Sequence, residues 1–259
     1  MEEKLTYCDA HFHLVQSASY ENLSSFAEAF VAPGFKGCTC SHSEEEFLVQ
    51  ESLAAEFSEA LALKLAFGLH PQNPDLSLAP FLEQLLREKR IDAIGETGFD
   101  FFTSEFRSDR LRQDEAWHLS LELSSFYGLP VVIHDRKALD LIFRDASLLK
   151  KIPAAVFHSF AFGPREALSI LNHGINAYFS FGKAILNGNK KSMACVAELP
   201  LERLFFETDA PYQTLKGESF TPLGDIKLVY QKASELRNCP PDQLCASVGR
   251  NFSLVFDRH

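Results

Sequence analysis

The sequence is short of positive charge. Against 35 Asp and Glu it carries only 25 Lys and Arg, a formal net charge of −10 at pH 7, the reverse of what nonspecific attraction to phosphates requires. A phosphate-bearing substrate would need local help. Divalent cations supply it, because an ion held in a site can outweigh the field of the surface around it. No segment approaches the roughly 18 to 20 apolar residues that span a bilayer. The stretch from Met1 to Leu5 is charged and lacks the apolar core of a secretory signal. These absences predict a cytoplasmic protein with no membrane partner, and no obligate protein partner is evident. The six cysteines, at 8, 38, 40, 195, 239 and 245, include no C-x-x-C pair and are too sparse for a disulfide framework. Reduced thiols are expected. No long Pro/Ser linker, low-complexity tract or short internal repeat divides the 259 residues, which predicts one domain over 1–259.

What the sequence does have is alternation. Short apolar runs recur at Leu5 to Cys8, Phe35 to Thr39, Lys64 to Phe67, Ile91 to Ile94, Pro130 to Ile133, Ala154 to Phe157, Asn176 to Phe179 and Arg203 to Phe206. Each has the length of a buried parallel strand. Segments with helical periodicity lie between them: Glu21 to Phe30, Glu44 to Ala62, Leu76 to Arg90, Ser108 to Tyr127, Ala138 to Leu149, Arg165 to His173 and Lys190 to Glu198. Asp225 to Leu236 and Pro241 to Val248 follow, and Ala32-Pro33-Gly34 and Phe162-Gly163-Pro164 mark turns. Strand then helix, eight times, predicts an α/β fold, a (β/α)8 TIM barrel of the amidohydrolase-like kind. An open doubly wound sheet explains the alternation equally well. It explains less well that seven of the eight runs end in histidine or carboxylate, since only a barrel gathers all its strand ends on one face.

Those ends carry the chemistry. His11 and His13 are two apart, so the strand period turns both rings to one side, the arrangement of a pair of metal ligands. Glu96 follows an apolar run directly and is costly to bury there unless ligated or paired; it is placed to bridge two cations. His134 closes Pro-Val-Val-Ile, His158 closes Ala-Ala-Val-Phe, and Asp209 lies between Phe205-Phe206-Glu207-Thr208 and Ala210-Pro211 as ligand and base. Four imidazoles and two carboxylates suffice for two divalent ions with positions left for water and substrate. Zinc, manganese, nickel and magnesium are the candidates, mixed nitrogen and oxygen donors suiting magnesium alone least. Two such ions point to hydrolysis, and metal affinity should fall below roughly pH 6.5 as imidazoles take up protons.

In order, Asp9-Ala10-His11-Phe12-His13, Gly68-Leu69-His70-Pro71, the segment Ala93 to Phe102, Val131 to Ala138, Phe157 to Gly163 and Glu207 to Tyr212 resemble the motif series of the TatD family of metal-dependent hydrolases. The resemblance runs from Asp9 to Asn251-Phe252. It implies that His11, His13 and Asp209 hold one ion, that His134 and His158 hold the other, and that Glu96 touches both. It also implies divalent-cation-dependent cleavage of DNA phosphodiesters, 3′–5′ exonuclease action on single-stranded ends, and His70 as a phosphate contact in catalysis. The chain departs from the family in two places. Gln72 stands where the family often has a second histidine after its GxHP, and Lys216 to Pro222 lacks the arginine and asparagine of the family's Arg-x-Asn-x-Pro segment.

Other residues divide into candidates and bystanders. Asp9, Glu207 and Asp100 are candidates for orienting a ligand or the substrate. Arg136, Lys137, Arg165 and Lys183 are placed near the mouth, where one phosphate contact among them is expected. Phe101, Phe102 and Phe160 alone among the 24 phenylalanines fall on top-face loops where a base could stack. His42 is expected in a solvated loop, with His118, His173 and His259 structural or exposed. The expected reaction is attack by a metal-bridging hydroxide on phosphorus, with Asp209 relaying the proton and His70 holding phosphate. Hydrolysis of a small-molecule amide, lactone or phosphoester, and a metal-stabilised binding protein without turnover, are the alternatives.

Overall fold

In the computed structural model, residues 5–31 and 34–257 are described. Met1 to Lys4, the Ala32-Pro33 half of the first expected turn, and His259 lie outside them. Eight parallel strands form one sheet in chain order: β1 (Tyr7–Phe12), β2 (Phe35–Ser41), β3 (Ala62–Phe67), β4 (Ala93–Asp100), β5 (Val131–Arg136), β6 (Ala155–Phe157), β7 (Ala177–Phe181) and β8 (Leu204–Phe206). Helices alternate with them, and Ile226–Arg237 and Pro241–Phe256 complete the outer layer. This is the expected barrel. No helix among the described residues is long and apolar enough to cross a membrane.

The elements differ from the sequence reading chiefly at their ends. β1, β2, β4 and β5 continue past their apolar runs, so Asp9, His11, Glu96, Asp100 and His134 are strand residues rather than residues beyond a strand. Apolar content stops where side chains begin to face a polar cavity, while the backbone ladder goes on. The expected helix from Glu44 to Ala62 ends at Glu56, because Ala62 already pairs in β3. The segment from Ala138 to Leu149 divides at Asp145 into two short helices. Asp145 sits between them, accepting bonds from Trp117 Nε1 and Arg144. The last helix runs on to Phe256, because Phe252 and Phe256 pack under β8 against Phe205.

The seam between β1 and β8 matters most for the site. Asp209 N donates to His11 O at 3.0 Å and His13 N donates to Ala210 O at 2.8 Å, so the barrel closes through residues expected to hold metal. Lower down, Thr208 N donates to Asp9 Oδ1 at 3.1 Å and Thr208 Oγ1 to Asp9 Oδ2 at 2.7 Å. Asp9 Oδ1 also accepts from His11 N at 3.2 Å. Asp9 therefore fastens the backbone carrying His11 rather than an imidazole. Below it the buried Tyr230 hydroxyl accepts from Cys8 N at 3.1 Å and donates to Cys8 O at 3.0 Å, supplying partners that the short β8 does not.

Two glycines set strand spacing at the site. A Cβ on Gly68 would meet Glu96 O, and one on Gly98, whose φ is +135°, would run into His134 O. Only glycine lets β3, β4 and β5 approach closely enough to bring their side chains together. Removing the hydroxyl at the seam tests the closure. Tyr230→Phe leaves a buried N–H and C=O without that partner and should lower stability to urea by about 1–3 kcal/mol; an unchanged midpoint would contradict the assignment.

Candidate metal centre

Glu96 is buried at the C-terminal end of the barrel, and each of its oxygens faces three imidazole nitrogens. Oε1 lies 3.3 Å from His11 Nε2, 3.5 Å from His13 Nε2 and 3.3 Å from His42 Nε2. Oε2 lies 2.7 Å from His158 Nε2, 3.2 Å from His134 Nδ1 and 3.5 Å from His70 Nε2. Asp209 Oδ1 joins the first group, 3.4 Å from both His11 Nε2 and His13 Nε2. The six residues expected to hold metal are thus brought to one place, with His70 beside them.

The donors fit cations better than they fit one another. Four ligands at 2.0–2.2 Å from a common tetrahedral centre stand about 3.4 Å apart, and the Nε2 atoms of His11 and His13 each lie 3.3–3.5 Å from Glu96 Oε1 and Asp209 Oδ1. His11 Nε2 is buried among them with no hydrogen-bond partner, the costly state that a ligated ion removes. On the other side His134 Nε2 meets Asp100 Oδ2 at 3.0 Å, the arrangement by which a carboxylate fixes the tautomer of a metal-binding histidine. Once His134 is neutral, as ligation requires, its Nδ1 turns a lone pair to the point it shares with Glu96 Oε2 at 3.2 Å and His158 Nε2 at 3.1 Å. Acceptors converge there, and a cation satisfies them together.

The electrostatics carry the same signature. Burial opposes ionisation of Glu96 and Asp209, yet the surrounding imidazoles outweigh it and hold both carboxyls well below their usual range. Burial likewise opposes a charged His134, but its bonds to Asp100 and Glu96 push it up to about 9. His11 rises too, against its burial, because the charged carboxylates of Glu96 and Asp209 lie beside it. His158 and His70 go the other way, to about 4 and about 3, because burial dominates. Glu207, pushed up to about 7 by burial, accepts from Ser159 N and Oγ at 2.7 Å and so orders the loop after β6.

Several expectations need correction. His42 is not a solvated loop residue: its Nδ1 meets Gly68 O at 3.2 Å and its Nε2 points at Glu96. Lys183 is not available to a phosphate, being buried with Nζ 2.5 Å from Glu218 and 2.6 Å from Asp225. Phe101 and Phe160 are buried, which leaves Phe102, 58% exposed, as the accessible ring. His118 is structural, as expected, with Nε2 3.3 Å from Asp145 and away from the centre. Gln72 donates Nε2 to Asp100 Oδ2 at 2.9 Å, steadying the residue that orients His134. Gln213, unexpected from the sequence, donates Nε2 to Asp209 Oδ2 at 2.8 Å, and Tyr212, the last residue of the Asp209 motif and without an expected role, has its ring 5.0 Å from that of His13. Their closeness to Asp209 in the chain was the available signal. Lys137, Ser159, Asp209 and Gln213 all adopt left-handed backbone, a costly conformation that clusters at functional sites.

Above the donors opens a cavity of about 370 Å3, whose lining includes His13, His42, His70, Arg136 and Tyr212. A barrel with histidines and carboxylates gathered at its strand ends defines the class of metal-dependent hydrolases. A family model described as TatD related DNase matches residues 8–257, and the chain belongs to that family. It is 26% identical to an uncharacterized metal-dependent hydrolase of Mycoplasma pneumoniae over 97% of this chain and 100% of the relative. It is 32% identical to the 3′–5′ ssDNA/RNA exonuclease TatD of Pantoea ananatis over 56% of each. The crystal structure of YjjV, a TatD homologue from Escherichia coli, superposes with a TM-score of 0.81 at 25% identity, covering 98% of both chains.

Ligation requires neutral imidazoles, whereas His134, pushed up to about 9, holds its proton at pH 7.5 in the metal-free protein, and His11 is shifted in the same direction. Loading the metal-free protein with zinc or manganese in weak buffer at pH 7.5 should therefore release protons, read with an indicator dye. Apparent affinity should begin to fall as pH drops below about 9, above the window expected from free imidazole. Metal uptake with no proton release would contradict this assignment.

Proposed function

We propose that this chain is a two-metal phosphodiesterase acting on DNA, with the 3′ end of a single strand as its substrate. His11, His13 and Asp209 would hold one cation, His134 and His158 the second, and Glu96 both. What supports the reading above all is the division of donors about Glu96, three imidazole nitrogens to each oxygen. Relatives named 3′–5′ ssDNA/RNA exonuclease support the substrate. Divalent cations bound there supply Lewis acidity toward a phosphoryl oxygen and make water acidic enough to attack near neutral pH.

The protein's own groups do the rest. Asp209 is held ionised, and Gln213 occupies its Oδ2 while Oδ1 stays turned toward the cluster. It accepts the proton of the attacking water as the new P–O bond forms and the bond to the leaving nucleotide breaks. His70 Nδ1 accepts from Gln72 N at 3.2 Å, which leaves the proton on Nε2, facing the cavity. His70 therefore donates to a non-bridging phosphoryl oxygen as charge develops there. His42 has the opposite tautomer, Nδ1–H on Gly68 O. Its Nε2 then turns a lone pair toward Glu96 Oε1, adding one more acceptor that a cation there would satisfy.

A labelled single-stranded oligonucleotide, assayed with added manganese beside small phosphoesters, lactones and amides, tests the reading. Asp209→Ala should lower kcat by about 10²–10⁴-fold and His70→Ala by about 10²–10³-fold, with Glu96→Ala abolishing turnover and metal retention together. Wild-type turnover in Asp209→Ala would overturn the mechanism. A clear preference for the small substrates would overturn the nuclease assignment.

A further inference from the structure

Beside the metal cavity lies a second one, of about 450 Å3, which shares Arg136 with it. The two also meet at Gln213, which lines the second cavity and bonds to Asp209. The chain as a whole is acidic, yet no carboxylate lines this hollow, and Arg136, Lys137 and Lys191 do. None of these three has an ion-pair partner among the described residues. Phe102 stands at its edge, 58% exposed, with Lys137 Nζ 4.4 Å and Arg136 Cζ 5.8 Å from its ring centroid. Its deeper wall is apolar, formed by Phe160, Phe162 and Phe181. An exposed ring at the rim of a cavity offers a face on which a base can stack, and unpaired cations beside it suit an anion.

We propose that this cavity is the docking subsite for the nucleotide next to the scissile phosphate. The base lies against Phe102, and the flanking phosphate is met by Arg136, Lys137 and Lys191. A stacking ring beside a short row of cations is how single strands are held without sequence preference. The row supplies positive charge that the Lys216 to Pro222 segment does not, since Glu218 in that segment is engaged with Lys183. The inference rests on the nuclease reading and adds to it the grip on the substrate: a base as well as a phosphate is recognised, and a phosphodiester without a base is a poorer substrate.

The test compares oligothymidylate with an oligomer of equal length whose 3′-terminal residues are abasic, both with added manganese. Wild-type protein should show a KM about tenfold lower for the base-bearing strand. Phe102→Ala should lose that ratio and Phe102→Trp should keep it, with the change falling on KM rather than kcat. Lys137→Gln should reduce the slope of log KM against log salt by about 0.7, the share of one phosphate contact on a single strand. The same ratio in Phe102→Ala as in wild type overturns the subsite while the nuclease reading stands. Oligonucleotides left intact by the wild-type protein overturn both.

Discussion

One buried carboxylate organises this molecule. Glu96 sits where the ends of β1, β2, β3, β5 and β6 converge, and six imidazoles turn a nitrogen toward it at 2.7–3.5 Å. Burial of a carboxylate and of this many imidazoles is unfavourable unless charge is balanced. The donor atoms crowd together there, and the buried Nε2 of His11 is left without a hydrogen-bond partner among them. Divalent cations bound there would satisfy these donors together, which ties the fold's least comfortable region to its candidate chemistry.

The rest of the barrel serves that convergence. Gly68 and Gly98 remove the side chains that would keep β3, β4 and β5 apart. The seam between β1 and β8 is closed by backbone bonds at His11, His13, Asp209 and Ala210 themselves, so the distance between the two halves of the first donor group is set by main-chain geometry. Asp9, Asp100, Gln213 and Glu207 then fix particular atoms around the site. Their hydrogen bonds to His11 N, His134, Asp209 and Ser159 N are 2.7–3.2 Å long. A site built on strands and braced in this way is held more tightly than one built on loops.

Much of this was legible in the chain. The alternation of apolar runs with helical segments gave the barrel, and polar residues closing those runs gave His11, His13, Glu96, His134, His158 and Asp209 as neighbours. The misreadings share a physical cause, namely that local composition says nothing about a distant partner. Ser41-His42-Ser43 followed by three glutamates reads as a solvated helix start, and Ser43 does cap that helix. His42 faces inward only because Gly68 O, 26 residues on, holds its ring. Lys183 reads as a cation at the mouth, yet Glu218 and Asp225 bury it. Phe101 and Phe102 are adjacent and chemically identical, yet just past the end of β4 one lies in the core and the other in solvent. Strand ends were underestimated wherever pairing continued beyond the apolar run.

The central claim is that Glu96 is shared by two cations. Anomalous diffraction from crystals grown with manganese or zinc, recorded across the absorption edge of the metal, tests it most directly. The account predicts two peaks, one in contact with His11, His13 and Asp209, the other with His134 and His158, with the Glu96 carboxylate touching both. A single peak remote from Glu96, or none at saturating metal, would contradict it.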